Sequence, residues 1–314
     1  MTNAFEAQPS KLADFGQVLL PSEAKEPILS KAVRTSALEW LTEIGAKSEL
    51  EAVGCKPRTK ALFDGPPGVG KTTLAHHLAA RVGLPMVCVR SDRVIDKWVG
   101  SSAENMGNLF DAAESESKPV ILFFDEFDSL ADKRSGGQHK AITQMVNTLL
   151  SRMENYDGFI IAATNFATNI DSAVWRRFDI QIKLELPGQT ERRHILARYL
   201  APYILPADAL DRLATSFETA SPALMRQFCE GVKRQIVVGP KVGWCMDRDA
   251  LIGRVISAVQ PHPDLGKPRL WSRGTSDDAI RGLPWPLSTE HQTDLTISSA
   301  EKPTNVVALG RGAR

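Results

Sequence analysis

The run Gly65-Pro66-Pro67-Gly68-Val69-Gly70-Lys71-Thr72 has the spacing G-x-x-x-x-G-K-[ST] of a Walker A phosphate loop. The chemistry it allows is binding of a nucleoside triphosphate. Its glycines let the backbone curl so that N–H groups point at phosphate, Lys71 reaches the β/γ-phosphates, and the Thr72 hydroxyl ligates Mg²⁺. Thr73 follows in the same phosphate-binding turn. Further along, Val120-Ile-Leu-Phe-Phe-Asp125-Glu126 is an apolar run closed by two acids. In this Walker B pattern the first acid, Asp125, holds Mg²⁺, usually through water, and the second, Glu126, polarises the attacking water. Ala162-Ala-Thr164-Asn165 ends a further apolar run, and Asn165 there could orient the lytic water and report phosphate loss. Taken alone, an asparagine in such a place reads as a turn residue. Trp175-Arg176-Arg177-Phe178-Asp179 sets two guanidiniums at the end of a short helix. A surface arginine pair is ordinarily a solvated face. As an arginine finger it would have to serve a neighbouring subunit, because the charge it neutralises develops on the outward-facing γ-phosphate.

These residues need a frame. Lys60–Phe63 reads as a strand entering the phosphate loop, and Thr72–Val82 as a helix leaving it, closed by Gly83. The helix N-terminus therefore faces the anion. Pro85–Arg90, Val120–Phe124, Phe159–Ala163 and the alternating run Ile180–Leu186 read as further strands, separated by helical patterns at Ser102–Ser115 and Ala141–Tyr156. Ser101-Ser-Ala-Glu104 is a capping-box signature. Continuous apolar strands alternating with helices imply an α/β fold, a parallel sheet with helices on both faces. After Pro187 the pattern turns helical, at Gln189–Leu200, Pro206–Ser216, Ser221–Val238 and Asp247–Val259. The expected organisation is a short N-terminal arm (1–18), a large αβ subdomain (19–188), a small all-helical lid (189–259) and a Pro-rich C-terminal tail (260–314). That tail carries six prolines, so little regular structure is expected there. Trp271 and Trp285 interrupt it as aromatic anchors, docking on a neighbour or covering the helical lid.

The chain of 314 residues is 43% hydrophobic and 24% charged, with a formal net charge of +1. That balance argues against a strongly basic nucleic-acid surface or an anionic-membrane surface. No run approaches the roughly 18 apolar residues of a membrane span, and Met1–Gly16 lacks the layout of a secretion signal. Cys55, Cys88, Cys229 and Cys245 lack metal-ligand spacing, so reduced thiols in the cytoplasm are expected.

The order and spacing of these motifs resemble the AAA ATPases, in particular the clade of katanin, spastin, the proteasomal ATPases and the membrane-bound bacterial AAA proteases. The resemblance runs from about Phe15 to Ile256. It is densest at Gly65–Ala75, at Asp96-Lys-Trp98-Val99-Gly100-Ser-Ser with Asn108-Leu-Phe110-Asp111-Ala, and at Phe124–Arg134. The resemblance implies a homo-oligomeric ring, a hexamer, with nucleotide held between subunits and Arg176 or Arg177 donated in trans. It puts Trp98 and Val99 in the first pore loop, where a large flat side chain grips an extended polypeptide of any sequence. Arg134–His139 resembles the second pore loop, and Asp128 and Arg134 match positions commonly at the subunit interface. The chain also departs from the pattern. The segment Ala173–Arg177 is shorter than its family counterpart, which leaves open which arginine is the principal finger. Ala223 stands where other clades put a nucleotide-contacting arginine, with Arg226 about one turn further on. The arm 1–18 is too short for the large N-terminal adaptor domain common in such unfoldases.

The implied function is an ATP-driven motor that remodels, unfolds or threads a protein, working with a separately encoded protease or a regulatory partner protein. The alternative is a nucleotide switch of the helicase-loader or transposition-helper type acting on DNA-bound complexes, which would need a basic groove or DNA-reading module. No His-Glu-x-x-His zinc motif and no Gly-x-Ser-x-Gly elbow occurs in the chain.

Overall fold

A computed structural model of the protein describes residues 11–94, 101–128 and 139–289, without the side chains of 139–143. Strands β1 (Gly16–Leu19), β2 (Lys60–Asp64), β3 (Met86–Val89), β4 (Ile121–Phe124), β5 (Phe159–Thr164) and β6 (Ile180–Lys183) form one sheet in the order β1-β3-β4-β5-β2-β6. All neighbours pair in parallel except β1, which lies antiparallel on β3. The apolar runs are continuous because the sheet is covered on both faces. Successive side chains alternate between two cores. Leu122 and Phe124 enter one, lined by helices α5 (Ser101–Glu114) and α6 (His139–Asn155), and Ile121 and Phe123 enter the other, lined by α1 (Lys31–Gly45) and α3 (Lys71–Val82). Two shorter helices, α2 (Lys47–Ala52) and α4 (Ser91–Val94), complete this half up to β4.

Two details differ from expectation. Residues 11–19 are not a free arm: Leu12 is buried in the first core, and β1 pairs along β3 from Gly16↔Val89 to Leu19↔Met86. Four residues give no readable period, and what makes them a strand is the open edge of β3. Strand β6 ends at Lys183, before the expected Leu186. It is the other edge strand, with Ile180 and Ile182 inward and Gln181 and Lys183 outward, which explains its alternation. Between β5 and β6 lies the short helix α7 (Ser172–Trp175).

After β6 come α8 (Gln189–Leu200), α9 (Ala207–Ser216), α10 (Pro222–Val238) and α11 (Arg248–Ala258), around a core of their own. Ser221 caps α10 by accepting from the Leu224 N–H, and Pro222 occupies the first turn, where no donor is needed. The helical unit does not stop at 259. Residues 263–289 add α12 (Arg269–Arg273) and α13 (Asp278–Arg281), and β7 (Tyr203–Ile204) pairs antiparallel with β8 (Ser288–Thr289). Prolines that read as disorder start short helices instead: Pro263 opens a 3-10 turn (Pro263–Leu265), and Pro268 immediately precedes α12.

Trp271 explains why this segment is ordered. It stands edge-to-face against Phe217 (5.4 Å) and Phe228 (6.0 Å), and its Nε1 donates to the Val259 carbonyl at 2.6 Å. Asp277, fully buried, accepts from Ser216 Oγ (2.9 Å), the Ala279 N–H (2.9 Å) and Arg269 Nε (2.9 Å). A buried carboxylate persists only when it is paired and hydrogen-bonded in this way. Trp271→Ala is expected to lower stability by about 3–5 kcal/mol, the usual cost of emptying a large aromatic site. Chemical denaturation checks this, and a loss below 1 kcal/mol would mean that residues 263–289 contribute little to the core.

Candidate active site

The phosphate loop joins the C-terminal end of β2 to the N-terminus of α3. Gly68 and Gly70 take φ of +76° and +99°, left-handed backbone that a side chain would strain. A Cβ on Gly68 would also lie 2.8 Å from the Ala223 Cβ, so the loop has no room for one. Lys71 opens the helix and is 7% exposed. Its Nζ donates to the carbonyls of Gly65 (2.7 Å) and Pro66 (3.1 Å) and to Asn165 Oδ1 (2.6 Å). Burial pulls the Lys71 amine below its usual pKa, and the charges of Asp125, Asp64 and Asp128 oppose that shift.

Strands β4 and β5 lie beside β2, so their C-terminal ends bring the other groups to the same edge, where open α/β sheets bind ligands. Thr72 Oγ1 donates to Asp125 Oδ2 at 3.0 Å, joining the hydroxyl and carboxylate expected to share Mg²⁺. Glu126 follows with φ +49°, the only non-glycine residue with positive φ among the described residues. Its N–H donates to Asp125 Oδ1 at 3.0 Å. The Asp128 Oδ1 accepts from Thr164 Oγ1 (2.8 Å) and from the Asn165 N–H (3.3 Å).

Lys71, Thr72, Asp125, Glu126 and Asn165 line one cleft of about 330 Å³, whose other walls include Pro67, Gly68, Gly70 and Thr73. The helical unit roofs it with Tyr199 from α8 and Pro222, Ala223 and Arg226 from α10. Its contact with the loop is direct, the Ala223 N–H donating to the Gly68 carbonyl at 3.1 Å. Val69 does not line the cleft but a separate small recess, shared with Ile28, Leu29 and Pro222 and walled also by Glu185 and Glu191. Tyr199, Ile28 and Leu29 are the residues sequence reasoning missed. Ile28 packs on the helical core and Leu29 on the sheet core, and Arg198 Nη1 donates to the Glu26 carbonyl at 2.6 Å. No motif marks them; only the folded chain shows residues 26–29 stitching the two subdomains together.

A triphosphate with magnesium fits this set of groups. The loop and the start of a 12-residue helix offer N–H donors and a positive dipole end. Lys71 adds a cation, and Thr72 and Asp125 are hard oxygen ligands suited to Mg²⁺.

The arginine pair lies elsewhere. Neither Arg176 nor Arg177 lines the cleft. Both are exposed, but Arg177 pairs with Glu154 at 2.6 Å, whereas Arg176 has no ion pair among the described residues. Trp98, Val99 and Arg134 fall outside the described residues, as does most of the second pore-loop stretch.

Residues 61–186 match the family described as "ATPase family associated with various cellular activities (AAA)". The chain is 39% identical over 183 residues to an uncharacterized AAA family ATPase, y4kL, of Sinorhizobium fredii, covering 57% of this chain and 55% of that protein. It is 39% identical over 175 residues to the peroxisomal ATPase PEX1 of Saccharomyces cerevisiae (53% of this chain, 16% of that protein). Over 201 residues it is 32% identical to the ATP-dependent zinc metalloprotease FTSH 2, chloroplastic, of Arabidopsis thaliana (61% and 28%). The match thus spans about half of the first relative and far less of the other two. Among solved structures, the FIGL-1 AAA domain has the same fold, with a TM-score of 0.64 at 19% identity over 83% of this chain and 93% of that one. The same domain in complex with ADP gives a TM-score of 0.60 at 20% identity, over 78% and 87%.

Proposed function

The chain belongs to the AAA+ ATPases, and from that premise we propose that it is a ring motor, a hexamer, that spends ATP to remodel, unfold or thread a protein substrate. The observation that carries this reading is the division of the site. Lys71, Thr72, Asp125, Glu126 and Asn165 share one cleft, while Arg176, with no ion pair among the described residues, stands outside it, available to a neighbour.

In this reading Gly65–Thr73 cradle the phosphates and Lys71 leaves Asn165 to reach the β/γ oxygens. Magnesium, when bound, neutralises phosphate charge, and Thr72 and Asp125 hold it. Glu126 takes the proton of the attacking water, and Asn165 orients that water and registers the phosphate. Arg226, tethered only loosely to Glu230 at 3.9 Å, supplies positive charge from the lid. Arg176 supplies it from the next subunit, so turnover requires assembly. Because α10 is bonded to the phosphate loop through Ala223 and Gly68, a change at the phosphates moves the lid against the sheet, a hinge motion.

Trp98 and Val99 then pass that motion to a polypeptide in the pore. The protease named among the relatives supports a protein load, and a separately encoded protease or regulatory protein as partner. Four free cysteines, two of them exposed, support a reducing compartment such as the cytoplasm. Among the described residues no helix is long and apolar enough to cross a membrane.

The discriminating experiment is Trp98→Ala, assayed for ATPase activity and for unfolding of a tagged fluorescent protein. ATPase activity is expected to persist while unfolding is lost. Retained unfolding would remove the pore from the account. Strong stimulation of the ATPase by single-stranded DNA would favour a nucleotide switch on DNA-bound complexes.

A further inference from the structure

Thr164 is completely buried at the end of β5, yet its hydroxyl is a hub. It donates to Asp128 Oδ1 at 2.8 Å and accepts from the Phe166 N–H at 3.0 Å. The same Asp128 oxygen accepts from the Asn165 N–H at 3.3 Å, so both polar faces of the 164–166 turn are tied to one carboxylate. Asp128 is itself held from below. Its neighbour Phe127 is fully buried, edge-to-face with Phe124 (6.2 Å) on β4 and with Phe178 (5.5 Å), next to the arginine pair. The turn carrying the acid pair and the turn carrying Asn165 therefore move as one piece, because a carboxylate bond to a buried hydroxyl is among the stronger contacts a fold can make.

We infer that Asp128 and Thr164 are positioning residues for hydrolysis: they hold the Asn165 amide at the height of Lys71 and fix its distance from Glu126. Neither touches the cleft; neither is among its lining residues, whereas Asn165 and Glu126 both are. Their effect reaches the chemistry only through Asn165, whose Oδ1 sits 2.6 Å from Lys71 Nζ. A misplacement of about 1 Å in such a group is enough to cost on the order of 10²-fold in rate.

The inference rests on the reading of Asn165 as the phosphate-facing group, so Asn165→Ala is included as a control. Steady-state ATP hydrolysis is measured for Asn165→Ala, Asp128→Ala, Thr164→Val, Thr164→Ser and the Asp128→Ala/Thr164→Val pair, with thermal unfolding of each. Valine keeps the shape of threonine without its hydroxyl, and serine keeps the hydroxyl. Asp128→Ala and Thr164→Val are expected to lower kcat by about 10- to 100-fold at unchanged KM for ATP. Thr164→Ser is expected to keep most of the turnover. The double variant should be no worse than the poorer single one, since both break one relay. Equal loss in Thr164→Val and Thr164→Ser, or a defect confined to KM, would overturn the relay. So would normal turnover in Asp128→Ala beside an impaired Asn165→Ala, which leaves the reading of the cleft standing. Normal turnover in Asn165→Ala would overturn both.

Discussion

Glu126→Gln is expected to bind ATP normally and to lower kcat for hydrolysis by about 10²- to 10⁴-fold, the range for removing a general base. The substitution preserves shape and hydrogen bonding but cannot accept the proton of the attacking water. The backbone supports assigning this role to Glu126 rather than Asp125. Asp125 is already engaged by Thr72 Oγ1 and by the Glu126 N–H. The Glu126 carboxylate has no such tie among the described residues, is exposed to the cleft, and sits at φ +49°. Left-handed backbone costs an L-residue roughly 1–2 kcal/mol, and such strain concentrates where a side chain must be aimed. Turnover and nucleotide binding by the purified variant check this. Near-normal turnover would mean that another group takes the proton.

Arg176→Ala is expected to show the second large effect, a loss on the order of 10³-fold in kcat, as for other arginine fingers. Arg177→Ala is expected to cost much less. The two arginines are adjacent and chemically identical, and their surroundings separate them. Arg177 is held by Glu154 of its own subunit, whereas Arg176 is exposed with no ion pair among the described residues. An exposed ion pair contributes only about 0–1 kcal/mol, so the pairing biases the choice rather than forbidding the other. Hydrolysis rates at saturating ATP decide it: the larger loss at Arg177 would exchange the two roles.

Much of this site is written locally. Gly65–Thr72 specifies its own turn through its glycines, and Asp125 and Glu126 follow a run whose continuous apolarity reports burial on both faces. The same pattern makes the parallel sheet legible, but the order of its strands comes from the folded chain. What escaped the sequence depends on contacts between distant segments. Strand β1 exists because β3 has an open edge, and nothing in its four residues announces it. The stretch 263–289 looks proline-rich and loose until Trp271 is seen between Phe217 and Phe228, more than forty residues away in the chain. The sequence marks Asp128 by its resemblance to an interface position but not by its bond to Thr164, a pairing set by neighbouring strands β4 and β5. Tyr199 and Arg226 are ordinary helical residues until α8 and α10 fold over the phosphate loop.

The central claim is that each nucleotide site is completed by an arginine from a second copy of the chain, and a mixing experiment tests it most directly. Lys71→Ala cannot hold nucleotide but still offers Arg176; Arg176→Ala holds nucleotide but offers no arginine. Each alone should be nearly inactive as an ATPase. Mixed, they are expected to recover activity, because a Lys71→Ala subunit can complete the site of its Arg176→Ala neighbour. A mixture no more active than the sum of its parts would contradict the account.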